Sequence, residues 1–91
     1  MIQLAPQSLK RETYTWGNVE WAPLTDIKGV FVRFTSPASG GNFSLRHHLE
    51  KEPLIILQAI KNGSITVVSK DEVGLTLTAS VNDEEYILLI F

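Results

Sequence analysis

The chain contains no cysteine. Disulfide staples, thiolate metal clusters and a cysteine nucleophile are therefore excluded. Only two histidines occur, side by side at His47-His48. On a strand, neighbours point to opposite faces, so the two rings cannot readily chelate one ion, and zinc needs three or four converging ligands. The pair is read as one ring facing the core or an interface and the other facing solvent, with no metal. Long apolar runs are also missing. The longest, Tyr86 to Phe91, is six residues, far short of the ~20 that span a bilayer as a helix, so no membrane role is expected. The N-terminal Met-Ile-Gln-Leu-Ala-Pro-Gln has neither the basic nor the apolar segment of a secretory signal. The expectation is a chain made in a cytoplasm and soluble there.

A dense stripe of positive charge is absent too. Residues 1–46 carry five cations against three carboxylates, and residues 47–91 carry three lysines against seven carboxylates. Neither half suits phosphate-backbone binding, so no nucleic-acid partner is expected. A positive half beside a negative half instead helps neighbouring copies or partners orient. No serine sits in a Gly-x-Ser-x-Gly elbow. Asp71-Glu72 and Asp83-Glu84-Glu85 could offer the paired carboxylates of a glycosidase, but they fall where turns between strands are due. No convergent set of acid, base and nucleophile emerges. The chain reads as no enzyme, with no cofactor.

What is present is ordinary globular composition, 44% hydrophobic and 20% charged over 91 residues. This length makes one domain and buries only roughly 60–65% of the surface exposed by the unfolded chain. Small domains commonly need disulfides, metals or oligomerisation. With the first two unsupported, oligomerisation remains.

The pattern along the chain is β throughout. Pro6 and the polar residues around it make residues 1–9 a poor strand, read as an arm ordered against a partner. Residues 10–91 are read as a single β domain. Thr13–Trp16 and Val19–Trp21 alternate around Gly17-Asn18, whose leading glycine suits a type II′ hairpin. Ile27 to Phe34 is a strand with Val30, Val32 and Phe34 on one face. The small, polar stretch 35–42 is read as a mobile surface loop. Phe43, Leu45, His47 and Leu49 then alternate with polar residues, the period of a half-buried strand. Pro53 argues against a long helix over 45–61, leaving room for a single helical turn at 48–52. Leu54–Ile60 and Ser64–Val68 flank Asn62-Gly63, which predicts a type I′ hairpin. Leu75–Ala79 and Tyr86–Phe91 complete the set.

About seven or eight short strands at intervals of about 8–12 residues define an all-β fold, a small antiparallel sandwich or barrel. The strands at 54–60 and 86–91 are apolar on both faces. Because an antiparallel sheet usually has one wet face, these two belong in the sheet centre or under another subunit.

The N-terminal half holds apolar and positive residues but a weak core pattern of its own. Ile2, Leu4, Tyr14, Trp16 and Trp21 are therefore the candidate assembly contacts. The competing reading of the aromatics is core, or a glycan- or receptor-binding surface formed by Trp16, Trp21 and Asn42 beside the 35–42 loop.

One motif points further. His47-His48-Leu49-Glu50-Lys51-Glu52-Pro53, then Leu75-Thr76-Leu77-Thr78-Ala79-Ser80, then Ile87-Leu88-Leu89-Ile90-Phe91 resembles the C-terminal β module of small structural proteins of tailed bacteriophages. There the pattern runs His-x-Leu-Gly-Arg-x-Pro-x-Gly, an apolar strand, Thr-Leu-Thr-Ala-Ser and a closing apolar strand ending in Phe. The resemblance covers about residues 43–91. Glu50 stands at the first glycine of that pattern and Leu54-Ile55 replaces the later one. Residues 1–42 lack the coiled coil of a fibre stalk. The resemblance implies a virion protein without enzymatic activity, either a capsid-decorating (cement) protein or a small tail or neck component. Its partners would be other virion proteins and copies of itself, as in a trimer.

Overall fold

The computed structural model describes residues 2–4, 13–25, 27–60 and 62–91, without the side chains of Ile2, Trp16 and Ile60. Among these residues there is no helix and nine strands are present: β1 (Ile2–Gln3), β2 (Tyr14–Trp16), β3 (Val19–Pro23), β4 (Val30–Thr35), β5 (Asn42–Arg46), β6 (Ile56–Ile60), β7 (Ile65–Lys70), β8 (Gly74–Ala79) and β9 (Glu85–Ile90). They form two sheets, ordered β1-β5-β8-β7 and β2-β3-β4-β9-β6. The fold is thus all-β and sandwich-like, with one core between the sheets. All pairs are antiparallel except β1, which runs parallel to β5.

Period-2 patterning drives this arrangement, because alternate side chains of a strand reach the same face. Val30, Val32 and Phe34 on β4, Phe43 and Leu45 on β5, Leu75 and Leu77 on β8, and Tyr86, Leu88 and Ile90 on β9 all lie in the core. Phe34 of one sheet meets Phe43 of the other edge-on, ring centroids 5.6 Å apart, which ties the layers together. The Gly17-Asn18 hairpin forms as expected: Trp16 pairs with Val19, and only Gly17 of the two loop residues has a positive φ, 59°, the mark of a type II′ turn.

Three expectations are corrected. First, Asn62-Gly63 closes no hairpin. Gly63 has the expected positive φ, 79°, but β6 pairs with β9 in one sheet and β7 with β8 in the other. The segment arches between the layers. A positive-φ glycine permits a sharp reversal without specifying which strand the chain pairs with afterwards. Second, the N-terminal arm is tied to its own domain at residues 2–4. The backbone of Ile2–Gln3 pairs with Phe43–Ser44, the Leu4 N–H donates to the Ser44 carbonyl at 2.8 Å, and the Ser44 hydroxyl bonds Gln3 Oε1 at 2.7 Å. The rest of the arm, residues 5–9, lies outside the described residues. Third, the 35–42 stretch is pinned at its start. Ser36 is 2% exposed; its N–H and carbonyl bond the Glu84 carbonyl and the Asp83 N–H, while its hydroxyl donates to the Val81 carbonyl and accepts from the Glu84 N–H.

Of the two strands apolar on both faces, β9 lies inside its sheet, between β4 and β6, whereas β6 is an edge. No helical turn forms at 48–52. The chain runs irregularly from His47 to Ile55, with positive φ at His48 (57°) and Glu50 (62°).

Candidate assembly surface

The sequence-predicted contact residues do not converge on one surface. Trp21 is fully buried on the inner face of β3. It stacks on Tyr14 across the β2–β3 ladder, centroids 5.2 Å apart and planes 17° from parallel, and the His48 ring meets it edge-on at 5.5 Å. A ring enclosed in this way can serve neither as an exposed assembly contact nor as a sugar platform, so the core reading of Trp21 is the correct one. Burial lies behind both its inward direction and the chemistry of Tyr14, whose hydroxyl pKa is pushed up to about 12 by desolvation. Leu4 is half-buried and packs on the core. Asn42 is exposed at the start of β5, in the sheet opposite Trp21. The side chains of Ile2 and Trp16 lie outside the described residues, and so does any contact they make.

His47 is likewise structural. The ring is completely buried at the end of the alternating run that begins at Phe43. Its Nδ1 accepts from the Leu49 N–H at 3.0 Å, which leaves Nε2 protonated to donate to the Asp71 carbonyl at 2.8 Å. One neutral imidazole thereby joins the 47–55 segment to the β7–β8 turn. His48 faces the Tyr14–Trp21 pair rather than open solvent. Among the described residues no group of three or more His, Asp or Glu side chains could hold a metal ion.

The carboxylates have turn roles. Asp71 Oδ1 accepts from the N–H groups of Val73 and Gly74 at 2.8 and 2.9 Å, closing the β7–β8 reversal. The hydrogen bond from Gly74, then that from Val73, hold its pKa below the ordinary 3.8. A carboxylate depressed in the folded state adds stability above its unfolded pKa, and that stability is lost as pH falls through the folded value. Asp71→Asn is therefore expected to melt below the wild type at pH 7, with the gap closing as the pH is lowered past 3.8. Paired thermal melts at pH 7 and pH 3 measure this; a gap of equal size at both values would remove the charge from the account.

Sequence reasoning missed a cleft of about 500 Å³ flanked by Leu4, Val19, Ser36, Pro37 and Asp83. Its walls come from four separate segments, so no local motif marks it. Among its described lining residues Asp83 is the one carboxylate, and no base stands beside it.

The exposed apolar residues lie elsewhere. Leu54, Ile55 and Leu57 are 78%, 47% and 51% exposed on and before β6. Leu57 pairs with Leu89, which pairs with Phe31, so a row of large apolar side chains crosses the outer face of the five-stranded sheet. Among the described residues no helix is long and apolar enough to cross a membrane. No protein-family model, no curated protein and no solved structure matches the chain.

Proposed function

We propose that this chain is a non-enzymatic structural protein of a tailed-phage virion, a capsid-decorating protein or a small tail or neck component that acts through protein–protein contacts. The observation that carries the reading is the backbone at Glu50. This residue stands where the phage pattern has glycine, and it adopts φ 62°, the left-handed conformation that glycine occupies at no steric cost. The backbone of the segment from His47 to Pro53 therefore suits a glycine at this position, where the pattern has one, even though glutamate stands there. The patterned histidine and leucine, His47 and Leu49, are both completely buried, in agreement with a framework motif rather than a ligand site. The apolar outer face around β6 supplies contact surface for assembly.

The reading is tested by fractionating lysates of the cells that carry the gene on a density gradient. The chain is expected in the band of assembled heads, tails or whole particles, released only by conditions that dissociate them. Recovery solely in the unassembled fraction overturns the assignment. Retention on a glycan array, coupled with absence from particles, would establish the carbohydrate- or receptor-binding alternative in its place.

A further inference from the structure

Among the described residues the two sheets have four edge strands, and three of them are guarded. β1 has two residues and β2 has three. β7 is interrupted by a register shift between Val67 and Ser69 and ends at Lys70. Short length, bulges and edge lysines are the usual devices that stop a strand from pairing with another chain. β6 has none of them: five residues, Ile-Leu-Gln-Ala-Ile, with no charge, no proline and an unbroken register against β9. The uncharged run extends back to Pro53.

The ladder also fixes which backbone groups of β6 face outward. Ile55 and Phe91 exchange two hydrogen bonds, at 2.7 and 2.9 Å. Antiparallel pairs alternate between bonded and non-bonded, so Leu57 and Ala59 also bond β9, while the N–H and C=O groups of Ile56, Gln58 and Ile60 point away from it. These three residues are symmetric about Gln58. Beside them, a groove of about 410 Å³ opens between the β6 and β7 edges, lined by Leu54, Ile56, Val67 and Val68 among others.

We infer that β6 pairs with β6 of a second copy of this chain, antiparallel about a two-fold axis at Gln58. This rests on the reading of the protein as one that works by protein contacts and names a contact and its partner. Gln58 then bonds Gln58 of the second copy, and Ile56 bonds Ile60 in each direction, which satisfies every outward group of the strand. On the outer face Leu57 comes opposite Ala59 of the partner, large against small, and no like charges face one another across the axis. The grooves are brought together, so that Leu54 and Val68 leave water. The strip that meets its own copy about this axis, Ile56–Ile60, is about 16 Å long at ~3.3 Å per residue, and the sandwich side is about 20 Å wide for two sheets ~10 Å apart. It covers on the order of 300 Å² per copy, or about 600 Å² in total, the size of a weak, reversible contact. The result is a ten-stranded sheet running through a dimer of modest affinity, where the phage resemblance implies a trimer.

Sedimentation equilibrium of the full chain across the micromolar range tests this, with dimer expected to dominate at the upper end. Gln58→Lys sets two like charges on the axis at an exposed position and is expected to shift the dimer to monomer at every concentration. Because the chain has no cysteine, Gln58→Cys adds a single thiol. Bonded antiparallel pairs hold Cα atoms about 5.5 Å apart, within disulfide reach, so mild oxidation is expected to convert this variant to covalent dimer at least tenfold faster than Asn18→Cys on the β2–β3 turn. A wild type that stays monomeric, a trimer, or equal cross-linking of the two thiols overturns the inference. Pairing of β6 with a different protein would appear as the monomeric outcome. A dimer that never enters particles leaves this inference standing and removes the virion reading, and a monomer found in particles does the reverse.

Discussion

Trp21→Ala is expected to destabilise the domain by about 3–5 kcal/mol, the usual loss for deleting a large buried aromatic. A domain of this length holds roughly 5–14 kcal/mol in all, so the variant is left close to unfolding at room temperature. The size of the effect follows from its surroundings. The indole is completely buried, stacks on Tyr14, meets His48 edge-on and sits opposite Val32 in the ladder. Its Nε1 has no hydrogen-bond partner among the described residues, so ring packing accounts for its contribution and the polar atom adds nothing. Trp21→Phe keeps a ring for Tyr14 to stack on and discards the unpartnered donor, and it is expected to cost only about half as much. Urea unfolding of the three proteins measures this. If Trp21→Ala unfolds with the same midpoint as the wild type, the ring is not part of the core, and an exposed binding role for it is reinstated.

The difference between Trp21 as expected contact and Trp21 as core shows where local pattern stops being informative. Alternation on β4, β5, β8 and β9 was legible because each strand carries two or three large apolar residues in step, and burial follows directly from the pleat. β3 carries Val19 and Trp21 in step as well, but a tryptophan suits a core and a contact surface alike, so the pattern does not separate the two. Ser36 was illegible for another reason: its partners Val81, Asp83 and Glu84 are more than forty residues away, so a serine in a small polar stretch gives no sign that it pins two loops. The same holds for β6. Its composition shows a strand apolar on both faces, but only the pairing order shows that it is an edge, and so that the surplus apolar face needs a partner outside the chain. Of the candidate site, the framework histidine could be read as core or interface, while the assembly surface had to wait for the topology.

The arch at Asn62-Gly63 yields the sharpest test of that topology, because a second glycine provides its own control. Gly63 and Gly41 share the same φ of 79°, so replacing either by alanine incurs a similar backbone penalty, about 1–2 kcal/mol for an L-residue in the left-handed region. Their surroundings differ. A Cβ on Gly41 meets nothing within 4 Å, whereas one on Gly63 falls 2.6 Å from Ser80 Oγ, 2.7 Å from Val81 Cγ2 and 2.9 Å from the Tyr86 hydroxyl. None of these neighbours yields freely. Ser80 Oγ accepts from the Ser64 N–H at 2.7 Å, and Tyr86 is completely buried. Displacing them breaks the hydrogen bond that starts β7 and shifts a core side chain, a further loss of about 1–3 kcal/mol from overpacking. Gly63→Ala is therefore expected to cost about 2–5 kcal/mol and Gly41→Ala about 1–2, measured as the difference in urea unfolding free energy between variants. A simple two-residue hairpin at 62–63 would project its turn into solvent and make the two substitutions equivalent. An arch that passes under the 80–81 loop makes them differ, and the gap between the two values reads how closely the crossing strands are held.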